Sequence, residues 1–240
     1  MKKLKTIIQY ECTTSFKYIW YFYAIQYAVV ALSCIIIAIA VGSPEKVGMN
    51  CLEINTVIYI SILGVLGFKE DFKMLIQNGF TRKYIFLATI SMFAFTSAIM
   101  AFVDTVAGNL LHYFIRDYSS LFGSIYGYNN IFANWLWLFL FYMLICSLFY
   151  IGVLVINKIG KISSIYLGVV LGGIALLAVA VFRYVISDEI AQNLMKLAAK
   201  AMGFMSNGTI NYFFPMVTFL LIMTVLGLGS YMVMRRTELK

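Results

Sequence analysis

Three polar residues sit where an apolar sequence could do chemistry: Asp104, Asn109 and His112, just past a hydrocarbon run from Ile85 to Val103. His112, the only histidine, lies about two helical turns beyond Asp104, so the two can share a helix face. An acid, an amide and an imidazole placed in this way are candidate polar residues of a translocation path. A charge at the centre of a bilayer costs roughly 2.5 to 3.5 kcal/mol and less near its surface. A buried Asp104 therefore needs a partner or a wet cavity, and its place at the end of the run favours a solvated carboxylate. Other chemistry is missing from the sequence. There is no G-x-x-x-x-G-K-[ST] phosphate loop and no H-E-x-x-H, no paired acids stand at catalytic spacing, and no metal site is expected. Cys12, Cys34, Cys51 and Cys146 are scattered, and read as small apolar residues. The chain is not expected to be an enzyme by itself.

The elements that must position these residues are set by composition. Hydrophobic residues make up 62% and charged residues 12% of the 240, with mean hydropathy +0.90; soluble domains carry about 25% charged residues. Six apolar runs approach the ~20 residues that span a bilayer: Tyr18–Val41, Cys51–Phe68, Ile85–Val103, Phe132–Ile156, Ile162–Phe182 and Phe213–Val233. The second is the weakest, holding Glu53, Asn55, Thr56, Ser61 and two glycines. The runs are continuously apolar rather than alternating, which favours helices over a barrel. The expected fold class is an all-α integral membrane protein of six transmembrane helices, forming one domain over residues 1–240.

Basic residues set the expected orientation, because Lys and Arg near span ends are retained in the cytoplasm. Six spans put both termini on one side, and placing that side in the cytoplasm gathers thirteen of the eighteen bases there. The net charge of +8 is thus a topology signal, and no nucleic-acid partner is expected.

Three cytoplasmic regions are long enough to dock a partner. The arm 1–17 carries Leu4, Ile7, Ile8 and Cys12 on one face behind Lys2, Lys3 and Lys5, which suits an interfacial helix before the chain turns in at Phe16–Trp20. The tail is seven residues from Met234. Between the second and third spans, Phe72, Leu75 and Ile76 form a stripe, with Glu70 and Asp71 ahead of it and Asn78-Gly79 after it. The spacing predicts a two-turn amphipathic helix over 71–77. Thr81 then caps the third span, and Arg82 and Lys83 anchor its start at the interface with membrane lipids. A helix this short needs a surface to rest on, either headgroups or a protein groove.

On the other side, Ser187 or Asp188 can cap a helix with Ile190, Leu194, Leu197 and Ala201 on one face, an extracellular element between the fifth and sixth spans. Asn207-Gly208-Thr209 reads as a turn. Tyr113, Phe114, Tyr118, Phe122, Tyr126 and Tyr128 suggest an interfacial aromatic belt, with a gate for an apolar substrate as the other reading. Gly168 and Gly172 make a GxxxG that allows close helix packing.

The six-span plan, the basic arm and the short helix ending in Asn78-Gly79-Phe80-Thr81-Arg82-Lys83 resemble the ABC-2 type permeases, membrane subunits of ATP-binding-cassette exporters. In Gram-positive members the loop after the second span often reads Gly or a small residue, two variable positions, then Arg-Lys. The chain is most similar to small permeases that export amphipathic peptides or toxins, such as the phenol-soluble-modulin exporters. The resemblance implies a coupling helix seated in a separate ATPase subunit, through Phe72, Leu75 and Ile76 with Glu70, Asp71, Lys73 and Gln77 around them. It also implies a second permease subunit, identical or related, and ATP and Mg held by the partner rather than this chain. A bacterial plasma membrane and an amphipathic peptide or lipid-like cargo follow from the same likeness. The other reading is a non-transporting immunity, sensor or assembly protein whose short helix lies on lipid.

Overall fold

A computed structural model describes residues 2–41, 50–69, 71–115, 118–184, 187–205 and 207–236. The described residues form nine helices, of which five are long and apolar enough to cross a membrane: α1 (Lys2–Val41), α4 (Arg82–Phe114), α6 (Ile131–Ile159), α7 (Lys161–Tyr184) and α9 (Phe213–Arg235). Between them lie α2 (Glu53–Lys69), α3 (Asp71–Gln77), α5 (Leu121–Tyr126) and α8 (Asp188–Ala201). The weak second run is not among the five. At 17 residues, α2 reaches about 26 Å, short of a hydrocarbon core of about 30 Å.

The expected turn at Phe16–Trp20 does not occur. α1 is one helix of 40 residues, because no glycine or proline interrupts it. Its ~60 Å length is twice the hydrocarbon thickness. The third span also runs further than its apolar stretch, to Phe114, which carries Asp104, Asn109 and His112 on one continuous helix.

The chain divides into two compact units, residues 1–146 and 147–240, with the division inside α6. In the first unit α1 and α2 pack on α4, whose buried residues repeat every three or four positions from Ile85 to Gly108. That buried stripe includes Thr89, Thr96, Ser97, Asp104 and Thr105, whereas Leu87, Phe95, Phe102, Val106 and Leu110 are exposed. Polar residues share the inward face with Ile85, Met92, Phe93 and Met100 while other large apolar groups face outward, an arrangement a hydrocarbon solvent permits, since lipid gives no incentive to bury Leu.

α3 forms where the stripe predicts it, and Asn78-Gly79 ends it as expected. Gly79 takes φ 75°, and the Gly79 and Phe80 N–H groups donate to Ile76 and Leu75, the paired bonds of a left-handed helix stop.

In the second unit none of the described side chains of α7 is buried, Gly168 and Gly172 included. α8 is amphipathic and starts one residue after Ser187, with Ile190, Leu194 and Leu197 exposed on its apolar face. Its end packs on α9, where the Thr218 hydroxyl donates to the Ala201 carbonyl at 3.2 Å. Asn207–Thr209 is a turn, with the Thr209 N–H donating to Asn207 Oδ1.

Candidate functional site

The inward face of α4 brings Asp104 against α1 and α6. Asp104 is 4% exposed, and each carboxylate oxygen has its own phenol. Tyr23 donates to Oδ1 at 2.9 Å and Tyr142 to Oδ2 at 2.6 Å. The Tyr23 hydroxyl also lies 3.1 Å from the Met100 carbonyl. The expected solvated carboxylate is therefore corrected to a buried one. The longer helix leaves almost three turns beyond Asp104 before it ends at Phe114, and two charge-assisted bonds offset the desolvation of the carboxylate.

Glu53, the first residue of α2, is 1% exposed and near the same cluster. Its carboxyl group faces its own and the Leu121 backbone N–H groups, and Oε2 has no partner. Ideal Cβ geometry at Gly108 of α4 would come within 3.3 Å of Glu53 Oε1, so a small residue there makes room for the acid. Gln26 of α1 closes the same end, its Nε2 3.4 Å from the Leu52 carbonyl.

The connection 118–130 covers this end of the helices. Asn50 Oδ1 accepts from the Ser119 N–H at 3.0 Å, and the Cys51 N–H donates to the Ser119 carbonyl at 2.8 Å. Those bonds hold Cys51 at φ 53°, a left-handed conformation that costs a non-glycine residue roughly 1–2 kcal/mol. His112 Nδ1 lies 2.9 Å from the Tyr118 carbonyl, which can only accept, so Nδ1 carries the hydrogen. The ring stacks on Tyr128 with centroids 3.7 Å apart. The Tyr128 hydroxyl in turn accepts from the Ser120 N–H at 2.7 Å. Burial pushes the Tyr118 phenol above its ordinary value.

The aromatic belt is split by this packing. Tyr113 and Phe114 are exposed as a belt requires, but Tyr118, Phe122 and Tyr126 are buried. Phe122 and Tyr126 sit edge-on to Trp137 of α6 at 5.9 and 6.0 Å.

Gly123 is required here by contact. A Cβ would run into the Tyr128 ring, which its hydroxyl bond and the His112 stack hold in place. Gly123→Ala should cost roughly 1–3 kcal/mol as overpacking, lowering the melting temperature of the detergent-solubilised chain. Gly152→Ala, where a Cβ meets nothing, should be neutral or stabilising by up to about 1 kcal/mol. Equal melting temperatures for the two variants would refute this role of Gly123.

The remaining expected site residues are dispersed. Asn109 donates to the Thr105 carbonyl of its own helix at 2.7 Å, and His112 belongs to the cover, so neither joins the Asp104 bonds. Thr81 stands at the N-cap of α4 without a side-chain cap bond; its carbonyl accepts from Tyr84 and Ile85 instead. Lys83 is exposed and Arg82 half-buried. On α3, Phe72 and Leu75 are buried at 4% each against the chain itself, as α3 packs on α2 and α4. They are not an open face for a partner, which corrects the expected seating. Ile76 is half-buried, while Met74, Gln77 and Asn78 are exposed. Glu70 and the side chains of Asp71 and Lys73 lie outside the described residues.

Tyr23, Tyr142 and Glu53 were not among the expected site residues. An acid within an apolar run is a signal that points to Glu53. Nothing marks two tyrosines among seventeen.

The fold and this polar centre define a helical chain consistent with a multi-pass membrane protein. No protein family, curated protein or solved structure matches it.

Proposed function

We propose that this chain is the permease subunit of an ATP-binding-cassette exporter, moving an amphipathic peptide or other hydrophobic substrate out of a bacterial cell. ATP and Mg are bound and ATP hydrolysed by a separate subunit, two permease chains pair, and α2 makes a short sixth crossing that leaves both termini in the cytoplasm. The observation that carries the reading is α3, a separate helix between two apolar ones, keyed to α2 and α4 by Phe72 and Leu75. A partner gripping its exposed Met74, Gln77 and Asn78 would move α2 and α4 with it, and α4 carries Asp104. The covering of Phe72 and Leu75 favours a second reading, a non-transporting membrane protein whose α3 serves only the chain's own packing.

The two readings part on one experiment. Met74→Asp with Gln77→Asp should abolish co-purification of an ATP-binding subunit expressed from the neighbouring reading frame, with folding intact. Undiminished pairing and export by that double variant would sink the coupling assignment.

A further inference from the structure

The acids of the polar centre carry an inference that does not depend on the transport reading. Among the described residues three acids are buried, Glu11, Glu53 and Asp104, and no lysine, arginine or histidine is. Glu53 Oε1 lies beside Gly108, one turn along α4 from Asp104, so the charge of one acts on the other. Like charges sharing an apolar site do not both ionise, and each alone is costly among membrane helices.

The hydrogen bonds divide the roles. Asp104 has one phenol on each oxygen, which suits a carboxylate. Glu53 leaves Oε2 buried without a partner, so a negative charge there is the less compensated of the two. Thr56, one turn along α2 from Glu53, is 0% exposed; its hydroxyl faces Asp104 and Tyr23 but finds no partner at hydrogen-bond distance. The other titratable groups facing the pair are phenols, Tyr23 and Tyr27 of α1, Tyr142 of α6 and Tyr118 of the connection, and the Cys51 thiol two residues before Glu53. His112 is turned to the Tyr118 carbonyl.

The geometry points to a buried proton-binding pair in which Glu53 holds one proton and Asp104 one negative charge. A metal ion is the poorer ligand. Both Asp104 oxygens already accept phenols, and no three His, Cys, Asp or Glu side chains among the described residues meet to hold a metal. Because α1, α2, α4 and α6 all contribute, losing the proton would place a second charge among four helices and link proton binding to their packing.

Infrared spectroscopy of the full chain in phosphatidylcholine vesicles tests this directly. A protonated-carboxyl C=O band should be present at neutral pH, move in D2O, vanish in Glu53→Gln and persist in Glu11→Gln. Its amplitude should fall about tenfold per pH unit above its midpoint, and replacing K+ by Na+ should leave it unchanged. Carboxyl-13C glutamate incorporated into the unsubstituted chain should shift the band and 13C aspartate should not, which together with persistence of the band in Glu11→Gln assigns it to the other buried glutamate even if Glu53→Gln fails to fold. Absence of the band, a shift with aspartate label alone, survival of the band in Glu53→Gln, or its loss in Na+ at constant pH would each overturn the proposal.

Discussion

Phe72→Ala combined with Leu75→Ala is expected to cost the chain most of its folded yield, not merely a partner. Both side chains are 4% exposed, and both are buried by the chain's own α2 and α4. Truncating a buried Phe costs roughly 3–5 kcal/mol and a buried Leu roughly 2–5, together a large part of the roughly 5–15 kcal/mol that holds a domain folded. The exposed positions behave differently. Met74→Asp and Gln77→Asp stand away from the packed face, where substitutions usually change stability by about 0.5 kcal/mol or less. Size-exclusion profiles and melting curves of the two double variants, purified side by side, separate the cases. A Phe72→Ala, Leu75→Ala protein that folds normally would mean that this face is not held by the chain's own helices.

The second large effect is expected at Asp104. Tyr142→Phe and Tyr23→Phe each remove one hydroxyl from a buried carboxylate, at 2.6 and 2.9 Å. A hydrogen bond to a charged group contributes about 1.5–3 kcal/mol, so each single variant should lose that much. The double variant should lose less than the sum. Once one donor is gone, Asp104 can take up a proton and shed the charge that made the second bond strong, giving coupling of about 0.5–3 kcal/mol. In an Asp104→Asn background the same Tyr→Phe changes should cost only about 0.5–1.5 kcal/mol each, the size for a neutral pair. Thermal unfolding of these variants in one detergent measures the cycle. Simple additivity, or equal costs in the Asp and Asn backgrounds, would show that the phenols do not act on a charged Asp104.

These effects were unequally legible in the sequence. The short helix 71–77, its glycine stop and the long apolar helices follow from local rules: a stripe at helical spacing, a residue tolerant of positive φ, and runs too apolar for water. The same rules named Phe72 and Leu75 as a stripe but not what covers it, because an amphipathic pattern gives the side that must be buried and not the surface that buries it. Asp104 was conspicuous as an acid in an apolar run, yet its environment was misjudged. The apolar run ends near Val103, where a solvated carboxylate was expected, but the helix continues to Phe114 and turns Asp104 onto Tyr23 and Tyr142.

What the sequence determined by itself is the class of the chain. Helices form because uninterrupted apolar runs must satisfy their own backbone bonds in lipid, and that requirement is local. Which face of α4 turns inward was decided only by tertiary packing. With apolar residues on both sides the run has no strong hydrophobic asymmetry, and the inward face is the one that carries its polar residues, of which Asp104 meets partners on two other helices. Tyr23 lies 81 and Tyr142 38 residues from Asp104 in the chain, and no spacing rule reaches that far. Asp104 was visible because its type is rare in such a run; its two phenols were not, because a tyrosine becomes a partner for a buried acid only where the fold places it.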